Sequence, residues 1–205
     1  MKRTRDRAAK QRALLQAALK LFAGKGYEAT TTREIASAAS CAEGLIHRYF
    51  KGKAGLLTAL IEYHFSQEVA DLGRELQPCR NLQAEFIQLV TWEVDRFWKT
   101  QDFHKVLISR SFIDPRVAEV MRGTAISVRA DAIRERLSRY NCYLTLPREQ
   151  VLALSQAVGM LGIIFGFMRP IVLGEDRLRA KKQAITTAKM LLESIGPAAM
   201  IDQFL

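Results

Sequence analysis

Residues 30–53 combine helix-capping groups and cationic side chains at a spacing that could bind phosphates. Glu34 follows Thr31 by three residues, so the two can form a capping box at the start of a short helix. Unpaired amide groups at such a helix start bind anions, and Lys51 and Lys53 follow further along the chain. This stretch therefore predicts the non-covalent binding of a polyanion through backbone amides and cations.

Positive charge is concentrated in the same quarter of the chain. The 205 residues carry a formal net charge of +10. Residues 1–53 hold twelve Lys or Arg against four Asp or Glu, whereas residues 54–205 hold nineteen against seventeen. Because neutralising phosphates releases condensed counterions, we expect a nucleic acid as the partner of this basic segment. The alternative is a solvated segment that only aids solubility.

Three short helices are predicted to carry these groups. The first, over about 7–23, has an apolar face and is ended by Gly24 and Gly26, since glycine accepts the backbone conformation of a helix C-terminus. The second opens at Thr31, and the third runs over about 42–50 after a tight turn. Two short helices joined by a tight turn have the layout of a DNA-reading helix-turn-helix.

The rest of the chain is predicted to be helical, which makes the fold all-α with about nine helices. A long fourth helix keeps an apolar period from about Lys53 until Pro78 stops it. The sequence after this helix shows no alternation of apolar and polar residues typical of a β-strand. We expect a head at residues 1–55 and a body at residues 56–205. The body helices are predicted over 82–99, 103–113, 115–140, 148–168 and 176–195.

The first sixty residues resemble the TetR family of transcriptional regulators. The resemblance covers roughly residues 10–60, including the LFAGKGYEATT sequence that ends the first helix. It implies a three-helix DNA-binding head and a divergent helical body that dimerises and binds a small ligand. The matching positions are Thr30, Thr31, Glu34, Ile35, Ala36, Ala38, Ala39, Gly44, Arg48, Phe50, Lys53, Leu56 and Leu57.

The resemblance implies contacts between the second and third helices and a double-stranded DNA operator. Gly44, lacking a side chain, lets the backbone approach the duplex, and the helix start at Thr31 meets a phosphate. Lys53 resembles the phosphate-binding lysine of the family. The expected DNA-contacting residues are Thr31, Thr32, Arg33, Glu43, Gly44, Leu45, His47, Arg48, Tyr49, Lys51 and Lys53.

Four positions depart from the family pattern. Ala42 stands where a serine usually caps the third helix, and His47 stands where tyrosine is usual. Leu45 replaces a frequent threonine. Glu43 repels phosphate, although its carboxylate can accept a hydrogen bond from the amino group of cytosine. These departures concern which bases are read rather than how the head docks.

Aromatic and methionine side chains in the central helices are the candidates for an effector pocket. The alternative is that they only pack the core, as such side chains often do. Because few polar groups lie among them, the predicted small-molecule effector is apolar or aromatic. The candidate ligand-binding residues are Trp92, Arg96, Phe97, Phe103, Arg110, Phe112, Met121 and Phe165.

The helices over 148–168 and 176–195 resemble the pair with which this family dimerises. Two such pairs related by a two-fold axis form a four-helix bundle. The alternative is that these helices form the core of a single chain. The candidate interface residues are Leu154, Val158, Leu161, Phe165, Ile185, Ala188 and Leu192.

The remaining features predict no further chemistry. The arginines of 115–140 are interspersed with acidic residues, which favours a solvated, salt-bridged face over a second nucleic-acid surface. The region Val151–Met168 is too mixed for a membrane span. Three well-separated cysteines favour reduced thiols in a cytoplasmic protein. No motif indicates a catalytic site, a cofactor or a metal site.

Together with these patterns, the resemblance to the TetR family implies a homodimeric, cytoplasmic transcriptional regulator. It would be a repressor that a small-molecule effector releases from a palindromic operator. The alternative that stays open is a helical ligand-binding or interaction module with weakened or lost specific DNA binding. Ala42 and Glu43 motivate that alternative.

Overall fold

The computed structural model describes residues 2–123 and 128–194, which are mostly helical and hold no β-strand. The predicted all-α fold is confirmed. The helices are α1 (Lys2–Lys25), α2 (Thr32–Ala38), α3 (Gly44–Phe50), α4 (Lys53–Glu75), α5 (Leu82–Lys99), α6 (Gln101–Ser111), α7 (Pro115–Met121), α8 (Arg129–Leu137), α9 (Asn141–Leu144), α10 (Arg148–Leu161) and α11 (Arg177–Glu193). A π-helical segment, Gly162–Val172, continues α10.

The chain divides into two compact units. The first unit takes residues 1–67 and 102–122, and the second takes residues 68–101 and 123–205. Helix α4 therefore contributes residues to both units. The expected division after residue 55 describes functional domains and stays a prediction.

In the first unit, each helix of the head buries one apolar face. Helix α1 packs on α2, and α2 packs on α3. Ile46 and Phe50 of α3 are buried, as their spacing of four residues predicts. Helix α1 ends at Lys25, where Gly26 adopts a positive φ of 88°. The other buried apolar residues of the head include Leu14, Leu15, Ala18, Phe22, Ile35 and Ala36.

Some predicted helix boundaries are corrected. Helix α1 begins at Lys2 rather than near residue 7. Helix α3 begins at Gly44 rather than near residue 42, because Glu43 occupies the N-cap position and makes no side-chain capping bond. Within the predicted helix 115–140 the structure has α7 and α8, and residues 124–127 lie outside the described residues. The single turn α9 was not predicted.

In the second unit, α5 packs against α8, α10, α11 and the π-helical segment. Two glycines permit the close approach of that segment. A Cβ atom on Gly166 would lie 2.9 Å from the Val94 carbonyl oxygen, and one on Gly162 would lie 3.1 Å from the Phe97 ring. The stretch Arg148–Val172 is long and apolar enough to cross a membrane, with a mean hydropathy of 2.0. Here it packs on α5 and α11, as a core helix does.

Arg136 of the arginine-rich region is buried and Arg129 is half-buried, so the predicted solvated face is wrong for these two arginines. Arg136 donates hydrogen bonds to the carbonyl group of Leu72 (3.3 Å), in the last turn of α4, and to those of Leu76 (2.8 Å) and Gln77 (2.9 Å), which follow the helix. The last carbonyls of a helix lack partners and carry partial negative charge, so a guanidinium stabilises them. Arg136 also pairs with Glu85, which is fully buried.

Glu85 anchors a wider buried polar group in the second unit. Its carboxylate accepts hydrogen bonds from the Cys79 backbone N–H at 2.9 Å and from the Tyr140 hydroxyl at 3.1 Å. Burial and the nearby Glu85 carboxylate raise the pKa of Tyr140. The half-buried Arg129 pairs with Glu93, and desolvation lowers the pKa of Arg129.

Candidate nucleic-acid interface

The start of α2 is fixed by the predicted capping box, which the structure confirms. The Thr31 hydroxyl accepts a hydrogen bond from the Glu34 backbone N–H at 3.2 Å. The Glu34 carboxylate accepts from the Thr31 backbone N–H at 2.8 Å. Lys25, the last residue of α1, donates to the same carboxylate. The end of α1 and the start of α2 are therefore joined through Glu34.

These partners make the head sensitive to acid. The hydrogen bond from Lys25, followed by those from Thr31, lowers the pKa of Glu34 from 4.5 to about 2. A carboxyl group whose pKa falls on folding stabilises the folded state above its unfolded pKa, and this contribution is lost as pH falls through the folded value. We expect Glu34→Gln to remove the part of the pH dependence of unfolding that lies between pH 4.5 and about 2.

The measurement is thermal unfolding of the full chain at several pH values, followed by circular dichroism. Glu62→Gln is the matched control, because Glu62 is an exposed carboxylate on α4 outside the capping box. A Glu34→Gln variant whose melting temperature follows the wild-type curve throughout this range would contradict the prediction.

Helix α3 presents an outward face with few large side chains. Gly44, His47 and Arg48 are exposed, while Leu45 and Tyr49 are half-buried. A Cβ atom on Gly44 would meet nothing within 4 Å, so the packing of the head does not require glycine there. The backbone at the start of α3 is therefore open to close approach by a partner. Lys51, also exposed, ends the helix with a left-handed backbone.

Glu43 is held by the start of α2. The Thr32 hydroxyl donates to one of its carboxylate oxygens at 2.6 Å, and the Arg33 guanidinium lies 3.7 Å from the other. The adjacent arginine offsets the negative charge that would repel a phosphate. The predicted bond from cytosine to Glu43 stays a prediction, and it would compete with these two partners.

The Lys53 ammonium group binds main-chain carbonyl oxygens within the head. Its ammonium group donates to the carbonyl oxygens of Tyr27 (3.0 Å), Glu28 (3.4 Å) and Thr30 (3.0 Å). An ammonium group has three donors, and these bonds use all of them. The role of Lys53 as a phosphate ligand remains a prediction, whereas its contacts with the loop before α2 are present in the structure.

Two residues of the head were missed by the sequence reasoning. The Arg7 guanidinium of α1 lies 5.3 Å from the centre of the Tyr49 ring, so α1 reaches the recognition helix. The only sequence feature that could have indicated a role for Arg7 is its position in the basic N-terminal segment. Gly55 lies in the first turn of α4, where a Cβ atom would be 1.8 Å from the Phe50 carbonyl oxygen. A glycine near a helix start is the only sequence feature that marks Gly55.

The eight ligand-binding candidates are distributed over both units. In the first unit, Phe103 stacks on His64 with ring centres 3.5 Å apart, and Arg110 binds Glu28. Phe112 is 86% exposed. Met121 ends α7. A cavity of about 440 Å³ in this unit is lined by Arg110 together with residues outside the candidate set, including Phe22, Tyr27 and Val106.

The candidates of the second unit serve packing and ion pairs. Trp92 donates to Glu75 at 2.8 Å, and Arg96 pairs with Asp71 at 2.8 Å. Phe97 packs against the two glycines of the π-helical segment, and Phe165 lies beside Arg169. A cavity of about 590 Å³ in this unit is lined by other residues, among them Val69, Val128, Tyr143 and Val151.

Five of the seven interface candidates are buried in the core of a single chain, which agrees with the alternative that these helices pack within one chain. Leu154, Val158, Leu161, Ala188 and Leu192 belong to the core of the second unit. Apolar periodicity identifies a buried face but not what buries it, and here the chain's own helices do so. Phe165 and Ile185 are half-buried. The exposed apolar side chains of the same helices are Leu152, Met160, Ile164, Val172, Leu178, Met190 and Leu191.

Comparison with known proteins identifies the head. Residues 14–60 match the family model of bacterial regulatory proteins of the tetR family, which confirms the resemblance found in the sequence. The chain is 51% identical over 53 residues to the uncharacterized HTH-type transcriptional regulator YvkB of Bacillus subtilis. This match covers 26% of the present chain and 28% of that regulator, so it concerns the head alone.

The fold also has solved counterparts, which match most of the chain. A chain from Mesorhizobium loti, assigned to the TetR-family transcriptional regulators, matches with a TM-score of 0.71 at 18% identity, over 92% of this chain and 97% of that one. FadR of Bacillus subtilis, solved in complex with stearoyl-CoA, matches with a TM-score of 0.64 at 12% identity, over 86% and 96%. At these identities the likeness establishes the fold.

Proposed function

We propose that this chain, whose residues 14–60 belong to the TetR family, is a DNA-binding transcriptional regulator that represses its targets from a palindromic operator. The observation that carries the proposal is the outward face of α3. Gly44, His47 and Arg48 are exposed there, on a helix whose other face is buried in the head. The protein would act in the cytoplasm and without catalysis.

The geometry of the head supports docking in the major groove. Helix α3 is short, with seven residues, and its first residue, Gly44, lacks a side chain. Close approach of this helix start would bring His47 and Arg48 to base edges or phosphates. The amides at the start of α2 and the exposed Arg33 and Lys51 would bind the flanking phosphates.

A second copy of the chain is the partner that a short recognition helix requires. One such helix reads too few base pairs for specificity, and two related by a two-fold axis read a palindrome. The exposed apolar side chains of α10, the π-helical segment and α11 supply a surface for self-association. We therefore propose a homodimer whose interface uses Leu152, Met160, Ile164, Met190 and their exposed neighbours, with Phe165 and Ile185 at its edge.

The proposed effector is a small apolar or aromatic molecule. FadR of Bacillus subtilis was solved with stearoyl-CoA, and for the present chain we infer only that the body binds a small molecule with an apolar part. Cavities of about 440 and 590 Å³ are within the size range of small-molecule sites. Release requires that the effector bind the non-DNA-binding state more tightly than the other state.

Selection of DNA by the full chain tests the proposal. We expect the wild-type protein to enrich a palindromic sequence from a random duplex library. Arg48→Ala should weaken binding to that duplex by about 1–3 kcal/mol and relax the preference at one or two base pairs. The control is Arg139→Ala, which removes an exposed arginine of the second unit. Binding that stays independent of sequence at every salt concentration would contradict the proposal.

The second candidate function is a helical ligand-binding module with weakened or lost specific DNA binding. It is favoured by the uncapped start of α3 and by Glu43, whose carboxylate is already engaged by Thr32 and Arg33. The same selection experiment separates the two functions, since this candidate predicts no enriched sequence.

A further inference from the structure

We propose that Lys53 and Arg110 are positioning residues for DNA recognition, which act by holding Tyr27 and the loop that leads into α2. The three residues Tyr27, Lys53 and Arg110 are called the Tyr27 clamp below. The proposal rests on the proposed function and specifies how the DNA-contacting face is held in place. All three residues belong to the first unit.

Lys53 contacts both the main chain of the loop and the aromatic ring of Tyr27. Its ammonium nitrogen lies 4.4 Å from the centre of the Tyr27 ring, within the range of a cation–π interaction. The same nitrogen donates to the carbonyl oxygens of residues 27, 28 and 30. These carbonyls follow the C-terminus of α1, where backbone acceptors lack helical partners. The Lys53 ammonium group is therefore surrounded by three carbonyl oxygens of the loop.

Arg110 holds the same loop from α6, far along the sequence. Its guanidinium carbon lies 4.3 Å from the centre of the Tyr27 ring, and one of its nitrogens donates to Glu28 at 2.6 Å. The other terminal nitrogen lies 3.6 Å from Asp114. Arg110 is only 8% exposed, so its contacts are within the unit rather than with solvent. A residue outside the helix-turn-helix thus fixes the loop that precedes it.

The position of this loop decides where α2 begins. Thr30 is 1% exposed, and its hydroxyl donates to the Gly26 carbonyl oxygen at 2.7 Å. Thr31, the next residue, is the extended N-cap of α2. A displacement of residues 27–30 therefore moves the first amide groups of α2, which are the groups proposed to meet a phosphate. The Tyr27 clamp has no need to touch DNA in order to control the affinity for DNA.

A positioning role and a phosphate contact differ in their dependence on salt. Each phosphate neutralised by a protein cation contributes about 0.9 to the slope of log affinity against log salt concentration. A cation that binds only protein carbonyls contributes nothing to that slope. Lys53 should therefore affect the affinity without affecting the slope. Lys51, two residues earlier and exposed, is the matched lysine that can reach a phosphate.

The first experiment measures the binding of a duplex that the wild-type full chain selects from a random library, over a range of salt concentrations. Lys53→Met should lower the affinity about tenfold with an unchanged slope, because the variant keeps the apolar stem and loses the ammonium group. Lys51→Met should reduce the slope by about 0.9. A slope that falls by this amount in Lys53→Met would overturn the proposal for Lys53.

The same assay tests Arg110. Arg110→Met should lower the affinity with the slope unchanged, and Arg110→Lys should retain most of it, since an ammonium group can still bind Glu28 and face Tyr27. Lys105→Met, which removes an exposed cation from the same helix, should bind as the wild type does. An affinity of Arg110→Met equal to that of the wild type would overturn the role of Arg110.

Amide hydrogen exchange tests the clamp without DNA, so its outcome is independent of the proposed function. The Thr30 amide bonds to the Tyr27 carbonyl oxygen at 3.3 Å, and the Glu34 amide bonds to the Thr31 hydroxyl at 3.2 Å. Both amides should exchange faster in Lys53→Met and Arg110→Met, while the core amides of α4 keep their protection. Unchanged exchange at both positions in both variants would overturn the clamp, even if the wild type selects no duplex.

Discussion

Replacement of Gly55 with alanine is expected to destabilise the head by about 3 kcal/mol or more, the upper end of the usual cost of overpacking. A Cβ atom at this position would lie 1.8 Å from the Phe50 carbonyl oxygen and 3.0 Å from the carbonyl carbon. Because the atom it meets is main chain, no rotation of a side chain can relieve the overlap. The end of α3 or the first turn of α4 must move, and both belong to the proposed DNA-binding head.

Gly73→Ala on the same helix is the matched control. A Cβ atom on Gly73 would meet nothing within 4 Å, and the residue is exposed in the last turn of α4. Alanine is preferred over glycine by about 1 kcal/mol in a helix, so this variant should be slightly more stable than the wild type. Hydrogen exchange of α3 and thermal unfolding measure both variants. Equal stability of Gly55→Ala and the wild type would contradict the prediction, since it would show that the turn before α4 can move at little cost in free energy.

The second large effect is expected for Arg136→Met, which should destabilise the protein by about 3–5 kcal/mol. Its partner Glu85 is fully buried, so loss of the guanidinium leaves an unpaired buried carboxylate. The carbonyl groups of Leu76 and Gln77 would lose a donor in the same step. Chemical denaturation of the full chain measures this change through its midpoint.

Arg134→Met supplies the comparison for Arg136→Met. The side chain of Arg134 is 51% exposed and pairs with Asp131 across one helical turn, so its loss should change the stability by at most about 0.5 kcal/mol. The double variant Glu85→Gln/Arg136→Met should be more stable than Arg136→Met alone, since it removes the unpaired charge. A double variant no more stable than the single one would assign the loss to packing and to the carbonyl groups that Arg136 binds at and after the end of α4.

The parts of the fold that the sequence predicts are those governed by local spacing. The capping box follows from Thr31 and Glu34 three residues apart, and the buried face of α3 follows from Ile46 and Phe50 four residues apart. The end of α1 follows from Gly26, which adopts the positive φ that glycine permits. In each case the interacting groups lie within one or two helical turns of each other.

The remaining features depend on pairs that are distant in sequence. Arg110 meets Glu28 across 82 positions, and Arg136 meets Glu85 across 51. Nothing in the local pattern of either arginine distinguishes it from the exposed Arg134. The same limitation affected Leu154 and Val158, whose helical period is the same whether a second chain or the chain's own α5 covers them. Only the tertiary arrangement decides such cases.

The outward face of α3 has a consequence for how such a protein can diverge. The side chains that anchor α3 in the head, Ile46 and Phe50, are buried, whereas Gly44, His47 and Arg48 on its other face are exposed. Because substitutions of exposed residues usually change the stability by less than about 0.5 kcal/mol, we expect changes on that face to leave the fold intact. After duplication of its gene, we therefore expect that a copy can acquire a new target sequence through a few changes in α3 with little change in stability.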